Sequence, residues 1–164
     1  MNADVVYGYL DSPIGRLLMT GREDGVLTSL SVADHPSCPP PLPGWVRSDE
    51  SLAAAREQLE EYFDGSRTSF DLAIDPAGTP FQTQVWAALR EIPYGHTVGY
   101  GELARRIGRP TAARAVGAAN GRNPIFIVIP CHRVIGADGS LTGFGWGTDC
   151  KAWLLDHERP ARLL

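Results

Sequence analysis

A thiol, an imidazole and a guanidinium follow one another at Cys131, His132 and Arg133, immediately after Pro130. Sulfur attacks as the thiolate, and positive neighbours favour that form. The triplet is therefore a candidate nucleophile with a base beside it. The apolar, β-branched run Ile125 to Ile129 reads as a short, fully buried strand that Pro130 ends, placing the thiol at the rim of a core. Adjacent side chains on extended backbone point opposite ways, so contact between Cys131 and His132 requires a turn after the proline. A lone cysteine is usually a small packing residue, and it is the histidine and arginine directly after a strand-ending proline that favour the nucleophile here. The other two thiols carry less chemistry. Cys38 lies in a proline-rich loop, and Cys150 reads as a packing residue near a helix start. Three cysteines at irregular spacing make no disulfide framework. His35 and His96 have no partners at ligand spacing, so no metal or cofactor is expected.

A second feature is a helix of small residues. Leu103, Ala104 and Ile107 form the inner side of a short helix over 101–107, Gly108 to Thr111 turn the chain, and Thr111 can cap a helix over 112–120. Two short helices across a glycine-containing turn make a helix-turn-helix candidate. The second helix has one long polar side chain, Arg114, among alanines, a valine and a glycine. Reading bases in the major groove takes several reaching side chains. A small-residue surface with one projecting arginine suits the minor groove, with a side chain inserted into the base stack. Tight packing of the alanines against other helices is the alternative.

The remaining elements support these two. The chain has 164 residues, 43% hydrophobic and 21% charged, enough for a real core. No apolar run is long enough to span a membrane, and the N-terminus lacks the basic and apolar regions of a signal peptide. A cytoplasmic, reduced protein is expected. The net charge of −4 conceals a split: residues 1–76 carry 5 basic and 13 acidic side chains, residues 77–164 carry 10 and 6. That asymmetry divides an acidic support half from a basic half able to meet phosphate. In the first half, Val5 to Leu10 and Leu17 to Thr20 flank a turn, Val26 to Val32 alternates as a strand, and Phe70 to Ile74 alternates again. A helix carrying Leu52, Ala55, Leu59 and Tyr62 is expected to be capped by Ser48 or Ser51 and to stop at Gly65. In the second half Phe81, Val85, Leu89 and Ile92 share a helical face, and a last helix runs from about Asp149 to His157. The fold expected is α/β (α+β). Residues 1–76 form a small antiparallel sheet with a helix, and residues 77–164 form a mainly helical domain.

Pro-Cys-His-Arg-Val, preceded by Asn-Pro and followed by a glycine-rich loop and Trp-Leu-Leu-x-His-Glu, resembles the O6-alkylguanine-DNA alkyltransferases, or methylated-DNA–protein-cysteine methyltransferases. Tyr94 to Ala104 and Ala112 to Gly117 match as well, so the likeness is strong over roughly residues 80–164 and general over 1–75, where a ribonuclease-H-like plan is implied. The resemblance implies single-turnover transfer of a methyl or alkyl group from O6 of guanine, and from O4 of thymine, to Cys131. It makes His132, through a water, the base, Glu158 its orienting partner, and Tyr100 a hydrogen-bond donor to the guanine that helps the base leave. Asn123 braces the active-site turn, and Lys151 lies near the thiolate. The partner implied is double-stranded DNA, with Arg114 as the finger that fills the stack and Ala112 and Ala113 beside it. The base is flipped from the minor groove into a pocket read by the carbonyl of Val134 and the N–H of Gly145. Phe144 stands where a tyrosine is common in the family, and Trp146 is bulky, so the resemblance implies transfer of methyl with reduced tolerance for large alkyl groups. No membrane partner is expected, and the state is a monomer or molecules clustered on one duplex.

Two rivals predict different behaviour. A non-catalytic binder that flags alkylated DNA would lose nothing when Cys131 becomes alanine. A thiol sensor acting through the helix-turn-helix would need major-groove readout and a resolving cysteine, and the sequence displays neither.

Overall fold

The structure, a computed structural model, describes residues 5–141 and 144–159. The chain divides into two compact units, Met1–Ala77 and Gly78–Leu164.

In the first unit, β1 (Val5–Ser12) and β2 (Gly15–Arg22) form a hairpin registered out to Ser12 opposite Gly15. The connection is thus a two-residue loop, tighter than the turn the sequence suggests. Gly15 takes φ +113°, and the Ser12 hydroxyl donates to its carbonyl at 2.6 Å. β3 (Leu27–Val32) pairs antiparallel with β2, and β4 (Val46–Arg47), which no pattern announces, pairs parallel with β1. The order is β3-β2-β1-β4.

Helix α1 (Ala53–Asp64) buries Ala55, Leu59 and Tyr62, and a fully buried leucine such as Leu59 contributes about 2 kcal/mol. It ends where expected, at Gly65 with φ +88°. Its start differs. Leu52 occupies the cap position without a side-chain bond, because the Ser48 hydroxyl is committed to the Ser51 hydroxyl and N–H in the preceding turn. The expected strand Phe70 to Ile74 reduces to one bridge, Ile74 to Leu27. The Gln58 side-chain amide, bonded to both the N–H and the carbonyl of Asp71 at 2.9 Å, takes the place of a neighbouring strand there.

The second unit is helical, with one short parallel pair. α2 (Pro80–Leu89) opens with a capping box between Thr79 and Gln82 and proline at its first turn. It buries Val85, Trp86 and Leu89, and the Trp86 indole N–H donates to the Ala119 carbonyl at 2.9 Å. α3 (Tyr100–Arg106) and α4 (Ala113–Gly121) form the helix-turn-helix pair. The cap of α4 is Ala112 and not Thr111, with no side-chain bond. β5 (Val98–Gly99) pairs with β6 (Val134–Ile135), and α5 (Thr148–His157) follows. The chain is therefore an α+β protein, with a small N-terminal sheet domain and a helical C-terminal domain.

Candidate active site

The expected strand Ile125 to Ile129 is not a strand. Every residue from Ile125 to Pro130 is buried, but the run is wound into tight turns: Val128 N–H bonds the Phe126 carbonyl, Ile129 N–H the Ile125 carbonyl, and Cys131 N–H the Ile129 carbonyl. Ile127 sits at φ +74°, a left-handed conformation that costs a β-branched residue dearly. An apolar run marks burial; it does not say whether the backbone is extended. Asn123 holds the winding together, its Nδ2 donating to the Ile129 carbonyl at 2.7 Å and its Oδ1 accepting from Ile125 N–H at 3.0 Å.

Cys131, His132 and Arg133 then form a single 3₁₀ turn, all three buried. His132 is fully buried, and its Nε2 lies 2.6 Å from Glu158 Oε2. Glu158 caps the end of α5 and is 2% exposed, so the motif places a carboxylate inside the unit that composition alone would put at the surface. Arg133, which the sequence offers as a positive neighbour of the thiol, instead completes this cluster around Glu158. Its Nε and Nη2 reach Glu158 Oε1 and Oε2 at 2.8 and 3.1 Å, and its Nη1 donates to the Ile92 carbonyl at 2.7 Å. Burial pushes the Glu158 carboxyl up, but bonds from His132 and Arg133 win and hold it at about 2. Burial lowers His132, against the pull of Glu158. With Nε2 committed to a carboxylate, its proton is assigned there, which leaves Nδ1 as the basic nitrogen. That atom is buried and has no hydrogen-bond partner.

The Cys131 thiol is pushed up to about 11 by burial, while the Asn123 amide and the Lys151 charge pull it down. It is consequently a thiol at neutral pH and needs a base to become a nucleophile. Lys151, fully buried on α5, donates to the Val134 carbonyl at 2.5 Å, and burial lowers its own pKa. The carbonyl that the resemblance assigns to guanine recognition thus already has one cationic partner. Tyr100, at the start of α3, is pushed up by burial and by the Cys131 charge, and drawn down by the Asn120 amide.

Other expected residues fall nearby. Phe144 and Trp146 pack on Phe126, with ring centroids 6.2 and 5.6 Å away, and Lys151 Nζ lies 6.0 Å from the Phe144 ring. A Cβ added to Gly145 would lie 3.6 Å from the Gly121 carbonyl, which sets the glycine loop beside the end of α4. Thr142 and Gly143 of that loop lie outside the described residues. Ala112 and Ala113 are half-buried at the start of α4, and Arg114 is exposed there. His157 stacks on Trp153 at 4.7 Å, with Glu158 and not His157 at the cap. The roles of two members of the site carry no separate signal in the sequence. Arg133 is visible in the triplet but its bond to Glu158 is not, and Asn120 reads as one more residue of a small-residue helix. The spacing of Asn120, one turn after Gly117 on the face that meets Tyr100, is visible only once the helices are packed.

The buried thiol, the imidazole with one bare nitrogen and the ionised carboxylate lie together in one unit with a helix-turn-helix pair, the groups that a cysteine nucleophile with a histidine base would require. Residues 5–76 match the 6-O-methylguanine DNA methyltransferase ribonuclease-like domain, and residues 80–160 match the DNA binding domain of the same family. The methylated-DNA–protein-cysteine methyltransferase of Mycolicibacterium paratuberculosis is 54% identical over 97% of both chains. Among solved structures, the O6-methylguanine methyltransferase of Mycobacterium tuberculosis superposes with a TM-score of 0.88 at 48% identity, covering 96% of each chain. The Mycobacterium tuberculosis OGT in complex with DNA superposes with a TM-score of 0.86 at 49% identity, covering 94% of this chain and 92% of that one. The chain belongs to the methylated-DNA–protein-cysteine methyltransferase family, a family of DNA-repair enzymes.

Proposed function

We propose that this protein reverses O6-alkylguanine damage in double-stranded DNA by moving the alkyl group once, irreversibly, onto its own Cys131. The observation that carries the reading is the bare, buried Nδ1 of His132, whose opposite nitrogen is fixed 2.6 Å from Glu158. His132 Nδ1, directly or through a water, takes the Cys131 proton, and the resulting imidazolium is stabilised by the ionised carboxylate. The thiolate attacks the saturated carbon, the carbon–O6 bond breaks with its electron pair, and guanine leaves neutral as the Tyr100 hydroxyl gives it a proton; the proton taken from Cys131 then returns to the tyrosinate by way of the His132 imidazolium. The product thioether has no route back to the thiol, so each chain acts once.

A stacked base cannot reach a buried thiol, so the nucleotide is extruded from the minor groove, with Arg114 filling the gap. The exposed position of Arg114 on an otherwise small-residue helix supports this. By the same chemistry O4-alkylthymine, which also carries its alkyl group on an exocyclic oxygen, is a second substrate. A nucleophile that must stay a thiol places the protein in a reducing compartment, the cytoplasm, where it acts as a monomer or as molecules clustered on one duplex.

Mixing the protein with an O6-methylguanine duplex is expected to add the mass of one methyl group to the peptide carrying Cys131, with product never exceeding protein. Repeated turnover, or a methyl on another residue, would sink the reading. Cys131→Ala abolishes transfer while duplex binding persists; unchanged behaviour in repair of the duplex would point to a pure damage binder instead.

A further inference from the structure

Asn120 is the single polar residue among the buried positions of α4, 1% exposed, and the transfer chemistry above gives it no task. A buried amide left partly unpaired is costly, so an apolar side chain would be cheaper there. Its Nδ2 donates to the Cys131 carbonyl at 3.3 Å. That bond fixes the amide's orientation, because the reverse would set two carbonyl oxygens against each other. Oδ1 is left as a buried acceptor without a hydrogen-bond partner. Gly117 lies one turn earlier on the same face, where a Cβ would stand 3.7 Å from two ring carbons of Tyr100. The Tyr100 ring therefore lies on the face of α4 that carries Asn120. The Asn120 amide draws the Tyr100 hydroxyl down, as an N–H donated to the phenolic oxygen does, so the second Nδ2 hydrogen faces Tyr100 and leaves the hydroxyl proton free for the departing base.

We infer that Asn120 is a positioning residue, one amide that ties the Tyr100 hydroxyl to the main chain of Cys131 and so sets the proton donor and the nucleophile in fixed relation. The inference rests on the alkyl-transfer reading. In-line displacement needs sulfur, carbon and departing oxygen aligned while the base receives its proton, and small misplacements of either group are costly in rate. Because Asn120 belongs to the same helix as Arg114, the same rigid element carries the DNA finger and the link between the two reacting groups.

The test compares single-turnover methyl transfer and duplex affinity for Asn120→Leu and Asn120→Asp, each made with Tyr100 intact and in the Tyr100→Phe background. With Tyr100 intact, the transfer rate constant at saturating duplex is expected to fall about tenfold, the size of one lost hydrogen bond, while affinity changes less than about twofold. In the Tyr100→Phe background the same substitutions should change the rate by less than about twofold, since the interaction is already gone. A role confined to packing predicts equal losses in both backgrounds, and that result, or an unchanged rate, overturns the inference. Should Asn120→Leu fail to melt cooperatively, Asn120→Asp, which keeps the shape of the amide, carries the same comparison. Wild-type protein that accepts no methyl overturns the alkyl-transfer reading itself, and is thereby told apart from failure of this inference alone.

Discussion

At the scale of single residues, the site works by dividing labour between a group that must stay neutral and one that must stay charged. Burial keeps Cys131 protonated, up at about 11, so the resting protein does not spend its thiol on stray electrophiles. Glu158 is held ionised at about 2 by His132 and Arg133 in spite of its burial, so His132 always has an anion behind it. Glu158→Gln keeps the shape but removes that charge and leaves the buried Arg133 guanidinium uncompensated. Breaking one partner of a buried pair costs about 3–5 kcal/mol, so the variant's melting temperature should drop sharply, and its transfer rate should fall at least about a hundredfold. A variant with wild-type melting and wild-type rate would show that the carboxylate is not part of the relay. Arg114→Ala tests the other end of the machinery. Arg114 is exposed on α4, so stability should shift by less than about 0.5 kcal/mol. Transfer from duplex should slow strongly while transfer from the free modified base is unaffected. Equal slowing with both substrates would refute the finger role.

At the scale of elements, the decisive piece is the wound run between α4 and the 3₁₀ turn. Its apolar side chains are spent on burial, and its backbone bonds close on itself and on Asn123. That leaves the following turn rigid enough to hold Cys131, His132 and Arg133 on one small loop. Ile127 and Ile125 are equally buried, at 1% and 0% exposed, but Ile127 alone adopts positive φ. Replacing each with glycine removes the same side chain. Ile127→Gly also relieves about 1–2 kcal/mol of left-handed strain, so it should cost that much less than Ile125→Gly in denaturant unfolding. Equal costs would mean the positive φ stores no strain.

At the scale of the whole molecule, charge and titration set where the protein can work. The acidic first half and basic second half coincide with the two compact units, so the excess positive charge resides on the unit that carries the helix-turn-helix. Three buried groups bound the stable pH range. Glu158 is lowered from 4.5 to about 2, so its contribution is complete above pH 4.5 and is lost as pH falls toward 2. His132 is lowered from 6.5, so the unfolded chain takes that proton first and stability begins to decline below pH 6.5. Cys131 is raised from 9.0 to about 11, so the unfolded chain loses its proton first and stability declines as pH rises from 9.0. A melting-temperature profile should be flat-topped between those limits and fall on both sides. A maximum on the acid side of pH 6.5 would contradict the neutral, buried His132.

The chemistry was legible in the sequence because it depends on residue type and order. The Cys-His-Arg triplet, the distant Glu158 and the small-residue helix can be read from a string, and so can α2, α3, α5 and the hairpin, whose periods and turns are local. What needed tertiary structure was whatever depends on long-range neighbours. The run from Ile125 to Ile129 could have been a strand, and became a set of turns whose backbone bonds close on one another and on Asn123. Phe70 to Ile74 pairs with β3 only at Leu27, because the Gln58 amide takes up the backbone of Asp71 before a longer ladder can form. Arg133 and Asn120 joined the site only through packing, which brought Glu158 to one and Cys131 to the other from residues 25 and 11 positions away. Sequence sets which groups are available to react. Burial and three-dimensional neighbours decide which of them are charged, which are held still, and which are bare.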